Sequence, residues 1–169
     1  MELERNIFQK LEEYLQIHYI DPGIVKECNM KCFFSLPDEC FVEKSKVRKL
    51  DDVVEQLGET FQEKLLRMID EKGLVDVEVY KKANINRKLF SKIRCNKNYK
   101  PRKRTAFSLI LAMELNLDEA KDLLARAGYA FSPSDKTDLI LQFFIEEKIY
   151  DLYTINLALY EHGEQTLSE

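Results

Sequence analysis

The sequence predicts an all-α protein, and three observations carry the prediction. Apolar residues recur at three- and four-residue spacing through most of the 169 residues, the period of helices with one face on a core. Gly and Pro are scarce, at five and four, which favours long helices and short loops. Several of these few turn residues fall where the apolar periods stop. Hydrophobic residues at 45% and charged residues at 33% give the balance of a folded, soluble chain. The N-terminus MELERNIFQKLEEYLQ is charged throughout, with no leader-like or membrane-spanning apolar run. A cytoplasmic location with four reduced Cys and no membrane partner is therefore expected.

The elements follow in order. Leu3 to Ile17 reads as an amphipathic helix with Leu3, Ile7, Leu11, Tyr14, Leu15 and His18 on one stripe, ended by Asp21-Pro22-Gly23. Residues 21–49 show no sustained period and read as a linker, with a short strand or turn near Cys32 to Leu36. Leu50 to Lys72 reads as one long helix whose apolar face is Val53, Val54, Leu57, Phe61, Leu65, Met68 and Ile69, stopped by Gly73. Asp76 to Lys82 follows, with Asp76 as N-cap, and then Asn86 to Cys95. Lys103 to Leu115 is nearly all apolar in its second half and reads as buried. Asp118 to Ala127 is capped by Asp118 or Asn116 and closed by Gly128. Pro133 takes the first helical position of a helix running to Lys148, and Asp151 to His162 is the last. This divides the chain into an N-terminal helix (1–20), a linker (21–49), a central helical domain (50–131) and a C-terminal extension (132–169) that packs on it or dimerises.

Charge is strongly segregated. The whole chain carries −4, yet Lys81 to Met113 holds eleven Lys or Arg and no Asp or Glu. The remainder carries fifteen basic and thirty acidic residues. A solvated charge run on an ordinary surface is the plain reading of such a stretch. The complete lack of acids over its length favours a polyanion footprint instead.

The basic stretch contains two short helices with a tight connection. Val79 and Ala83 face inward from the first, Phe90 and Ile93 from the second, with Ile85 after the turn. Asn84 at the turn tolerates positive φ, and Asn96 is expected to end the second helix in a left-handed conformation too. The stretch Gly73-Leu74-Val75-Asp76-Val77-Glu78-Val79-Tyr80-Lys81-Lys82-Ala83-Asn84-Ile85-Asn86-Arg87 resembles, without gaps, the Xre/Cro/lambda-repressor helix-turn-helix family. The resemblance continues through Phe90-Ser91-Lys92-Ile93, Asn96, Lys100-Pro101 and Leu117-Asp118-Glu119, and spans residues 63–127. It implies a five-helix lambda-repressor-like domain with two extra C-terminal helices, preceded by the N-terminal helix and linker. Three positions depart from the family pattern. Val75 stands where the family has a capping Ser, Asp76 or Val77 where it has Gln, and Tyr80 where it has a small Ala.

The resemblance implies a sequence-specific binder of double-stranded DNA, a bacterial transcriptional regulator, whose helix 86–95 enters the major groove. Asn86, Arg87, Lys88, Ser91 and Lys92 then sit at base edges, Arg87 able to reach guanine bidentately and Asn86 able to cap the helix or touch phosphate. Arg94, Lys97, Lys100, Arg102, Lys103 and Arg104 are placed for phosphates. With six to ten such contacts, affinity would fall roughly 10³–10⁵-fold from low to moderate salt. The departures move the expected contacts away from the start of the preceding helix.

The segment from Leu50 to the C-terminus also resembles the helical region that follows macrodomains in bacterial Appr-1-p processing-type proteins, and Leu3 to Tyr19 is similar to the last helix of such a macrodomain. That resemblance implies a helical protein-interaction or adaptor module without DNA binding, its partner a macrodomain-containing or other protein. No Gly-rich loop for ADP-ribose or any other phosphate cofactor is present in the sequence, so no cofactor is expected.

Other groups are weaker candidates. Cys28, Cys32 and Cys40, with His18, have C-x₃-C-x₇-C spacing but lack a second close pair, so free thiols are expected rather than zinc. His18 reads as a packed ring and Cys95 as a semi-buried structural thiol rather than a redox switch. No Ser/His/Asp or paired-carboxylate pattern is visible, and no enzyme activity is expected. Phe143, Phe144, Tyr150, Tyr153 and Tyr160 admit two readings, core packing or a homodimer surface.

Overall fold

The computed structural model describes residues 2–20 and 58–167, and residues 2–20 and 59–167 belong to one compact unit. The linker, the Cys28, Cys32 and Cys40 group and the expected strand or turn near Cys32 lie outside the described residues. Every regular element among the described residues is a helix. They are α1 (Glu2–His18), α2 (Phe61–Glu71), α3 (Asp76–Lys82), α4 (Arg87–Cys95), α5 (Lys103–Ala112), α6 (Leu117–Ala127), α7 (Lys136–Glu146) and α8 (Leu152–Glu161).

Helix α5 is the hub. Every residue from Ala106 to Ala112 is buried, so this helix has neighbours on all sides. It packs on α6 and α3, while α2 lies against α6 and α4, and α7 against α1, α6 and α8. Helix α1 adds Leu11 and Leu15 to the same core, and its Tyr14 ring sits 5.3 Å from that of Phe143. Phe143, Phe144, Ile155 and Leu159 are core residues as well. The aromatic question therefore divides. Phe143 and Phe144 are buried and Tyr150 donates its hydroxyl to the Leu115 carbonyl, whereas Tyr153 and Tyr160 stand exposed on α8.

Helix ends explain where the sequence-based boundaries moved. The long helix expected from Leu50 does not run unbroken to Lys72. Residues 58–60 are not helical, and α2 starts at Phe61 under a reciprocal cap. The Thr60 side chain accepts from the Glu63 amide while the Glu63 carboxylate accepts from the Thr60 amide. Asp76 is not a cap but the first residue of α3, and Val75 precedes it with no side-chain cap bond. Asn116 caps α6 through a second reciprocal pair with Glu119. Pro133 does not open α7. Its cap is Asp135, whose carboxylate accepts from the Thr137 amide. That helix closes two residues early because Lys148 takes φ 57, a left-handed turn that composition does not announce. Gly73 and Gly128 do take the positive φ that ends α2 and α6.

Candidate nucleic-acid interface

Helices α3 and α4 are joined by the four residues Ala83 to Asn86, and local hydrogen bonds set the bend. The Ala83 amide donates to Val79 O at 2.9 Å, the Asn84 amide to Lys81 O at 3.1 Å and the Ile85 amide to Tyr80 O at 2.9 Å. Asn84 takes φ 52, the conformation its residue type was chosen for in the sequence. Asn86 then caps α4, its side-chain oxygen accepting from the Lys88 amide at 2.9 Å. Val79 and Ala83 are buried from α3, Phe90 and Ile93 from α4, as their spacing predicts. Tyr80, the residue that replaces a small one in the family pattern, lays its ring 5.9 Å from that of Phe90. The Gln62 side-chain amide holds the last turn of α4 by donating to Arg94 O at 2.8 Å.

With that inner face fixed, α4 turns Arg87, Lys88, Ser91, Lys92 and Arg94 to solvent. The basic residues do not share one electrostatic fate. Arg87, Lys88 and Lys100 have no ion pair among the described residues, and Lys92 lies over the Tyr99 ring at 5.4 Å with no carboxylate partner there. Arg94 instead pairs with Asp76, the first residue of α3. Lys97 reaches Glu63 of α2 at 2.8 Å. Its ammonium, then the Thr60 amide and hydroxyl, hold the Glu63 carboxyl down at about 2.

Lys103 is drawn furthest inward. Its Nζ lies 2.5 Å from the Asp138 carboxylate of α7 and 3.5 Å from Asp135. Asp138 is only 1% exposed; one oxygen accepts from Lys103 and from the Ser132 amide, while the other has no partner among the described residues. Burial therefore pushes the Asp138 carboxyl above its ordinary value, against the opposing pull of Lys103 and Ser132. Arg104 bonds the neutral amide of Gln165, and Arg102 is exposed at the N-cap of α5.

The sequence placed these eleven candidates on one stretch; the structure brings acids from other helices into it. Glu63, Asp76, Asp135 and Asp138 were missed as partners of the cations. The Thr60–Glu63 cap is legible as Thr-x-x-Glu, which fixes Glu63 at a helix start. Nothing local marks Asp138, because it meets Lys103 only when α7 folds against α5.

Two other expectations change here. Asn96 does not end α4 in a left-handed conformation; it has φ −116 and ψ 104, and its side chain instead accepts from the Asn98 amide. Cys95 is exposed rather than semi-buried. His18 is exposed too, its ring 4.3 Å from that of Tyr14. Among the described residues no cluster of three or more His, Cys, Asp or Glu is arranged to hold a metal ion, and no helix is long and apolar enough to cross a membrane. Compared with family models, curated proteins and solved structures, the chain matches none.

Proposed function

We propose that this chain is a sequence-specific DNA-binding protein of the cytoplasm, a transcriptional regulator that docks α4 in the major groove as a helix-turn-helix recognition helix. The observation that carries the reading is the exposed face of α4. It presents Arg87, Lys88, Ser91 and Lys92 together, and no described carboxylate neutralises the three cations. A guanidinium at the first helical position can form a fork to guanine O6 and N7, while a Lys beside it reaches phosphate. Lys100, at the far side of Tyr99 in the chain, extends the same charge. Asp76 and Glu78 work against this at the start of α3, where they would face phosphate unfavourably; α4 and the following loop therefore supply the contacts.

The reading is tested with the full chain and random duplex DNA across a range of salt. Each phosphate contact adds about −0.9 to the slope of log affinity against log salt, so the four cations without an ion pair among the described residues, Arg87, Lys88, Lys92 and Lys100, give a slope of about −4. If all nine basic candidates bound phosphate, the slope would be more than twice as steep. Arg87→Ala and Lys88→Ala should each weaken binding. Binding that ignores salt, or that neither substitution changes, defeats the proposal and favours a helical adaptor that contacts protein instead.

A further inference from the structure

Helix α8 buries Ile155, Ala158 and Leu159 in the core and leaves its opposite face open to solvent. That face carries Tyr153, Leu157 and Tyr160, at the four- and three-residue steps that line up one side of a helix. Tyr153 and Tyr160 are 74% and 75% exposed, and Leu157 37%. Apart from its last residue, Glu161, the helix has no charged side chain. Val75 and Val77 are exposed too, but they alternate with Asp76 and Glu78 and form no uncharged patch. We propose that the Tyr153–Leu157–Tyr160 stripe is a self-association surface, paired with the same stripe of a second copy of this chain in antiparallel order about a two-fold axis.

The order of residues along the stripe selects a second copy as the occupant. Tyr-Leu-Tyr reads the same from either end. An antiparallel pair therefore sets Tyr153 of each copy against Tyr160 of the other, with the two Leu157 side chains near the axis. Such an interface is isologous, one patch serving as its own complement. Tyr suits it, because the ring loses apolar surface to water while the hydroxyl stays at a wet rim.

Charge points the same way. From Leu152 to Tyr160 the helix offers no cation or anion to a charged peptide or to nucleic acid. Its two ends differ. Lys148, exposed and without an ion pair among the described residues, precedes α8, and Glu161 closes it. Antiparallel order brings the Lys148 end of one copy toward the Glu161 end of the other, whereas parallel order sets like ends together. Asp151 shares the end with Lys148, but its carboxylate is engaged by the Thr154 amide and hydroxyl.

The area sets the strength. A Tyr side chain brings about 150–250 Å² to an interface, so the exposed parts of two Tyr and one Leu give roughly 300–400 Å² per copy. A standard stable interface takes about 800 Å² per partner. The pair is therefore a weak, reversible dimer, expected to form at about hundreds of micromolar.

The free protein carries the whole test, so its outcome is separate from that of the DNA titration. Sedimentation equilibrium of the full chain, up to about 1 mM, should show a monomer–dimer equilibrium. Tyr153→Lys and Tyr160→Lys should each weaken it by about tenfold or more, because each change enters a dimer twice. Both positions are exposed, so circular dichroism should show parental folding. The double variant Tyr153→Lys/Tyr160→Glu should regain much of the loss, since antiparallel order sets each new ammonium against a new carboxylate of the other copy. Tyr153→Lys/Tyr160→Lys should regain none. Monomer at every concentration overturns the proposal and leaves the stripe to a different partner. So does association that neither single substitution weakens, or a Lys/Glu double variant that associates no better than Lys/Lys. Binding of neutral phosphatidylcholine vesicles that Tyr153→Lys abolishes, with the parent monomeric, would assign the stripe to a membrane surface instead.

Discussion

Two halves of one basic stretch contrast sharply. From Arg87 to Lys92 the cations stand on α4 without carboxylate partners among the described residues. From Arg94 to Lys103, three of the cations turn to Asp76, Glu63 and Asp138 on three other helices. Residue type and local charge density are alike in the two halves. What differs is which neighbour each half meets after folding, so a count of basic residues overstates the charge a partner would encounter.

The contrast can be broken most forcefully at Lys103. Removing it strands the Asp138 carboxylate in the core, which should cost about 3 kcal/mol, the low end for a buried pair because Lys103 keeps some solvent contact. Urea denaturation of Lys103→Ala measures this. The double variant Lys103→Met/Asp138→Leu should recover most of the loss, since an apolar pair needs no partner. Near-parental stability of Lys103→Ala would mean that the pair is not what orders this corner.

A comparable effect in the other half should appear in binding rather than stability. Arg87→Ala is expected to lose about 1–3 kcal/mol of DNA affinity and to relax specificity at one base position. Its thermal midpoint should stay near the parent's, because Arg87 makes no ion pair among the described residues. Lys97→Ala, by contrast, should change DNA affinity by only a few-fold, since Glu63 already engages that ammonium. Equal losses in Arg87→Ala and Lys97→Ala would erase the distinction between the halves.

The Thr60 cap gives a smaller stability effect. Thr60→Ala should cost about 1 kcal/mol by exposing the start of α2.

The last prediction concerns acid. The Glu63 carboxyl is held at about 2 by Lys97 and Thr60, below its ordinary value of 4.5. A depressed carboxyl binds protons less readily in the folded state, so its contribution is present above pH 4.5 and is lost as pH falls toward about 2. Asp138 has the opposite sign. Its carboxyl is raised, so its contribution is present at low pH and lost as pH rises through its folded value. Comparing parent with Glu63→Gln isolates the first of these, and the variant should show a shallower loss of stability below pH 4.5.

Much of the helical pattern was legible because its signals are local. The three- and four-residue period placed Val79, Ala83, Phe90 and Ile93 inward, and Asn84 marked its own left-handed turn. Helix ends were less legible where several chemistries compete. Asp76 looks like a cap but is the first helical residue, and Pro133 looks like a helix start but precedes the cap at Asp135. Asn96 could have turned left-handed, yet its side chain found the Asn98 amide in an extended conformation.

The sequence by itself determined the all-helical class, the inward faces of α3 and α4, and the Asn84 turn between them. Those features rest on periodicity and on backbone preferences within a few residues. Only the tertiary structure decided which cations meet a carboxylate among the described residues, and where Asp138 meets Lys103. Those features depend on contacts between helices far apart in sequence, and neither charge nor hydropathy along the chain specifies which distant residue will arrive.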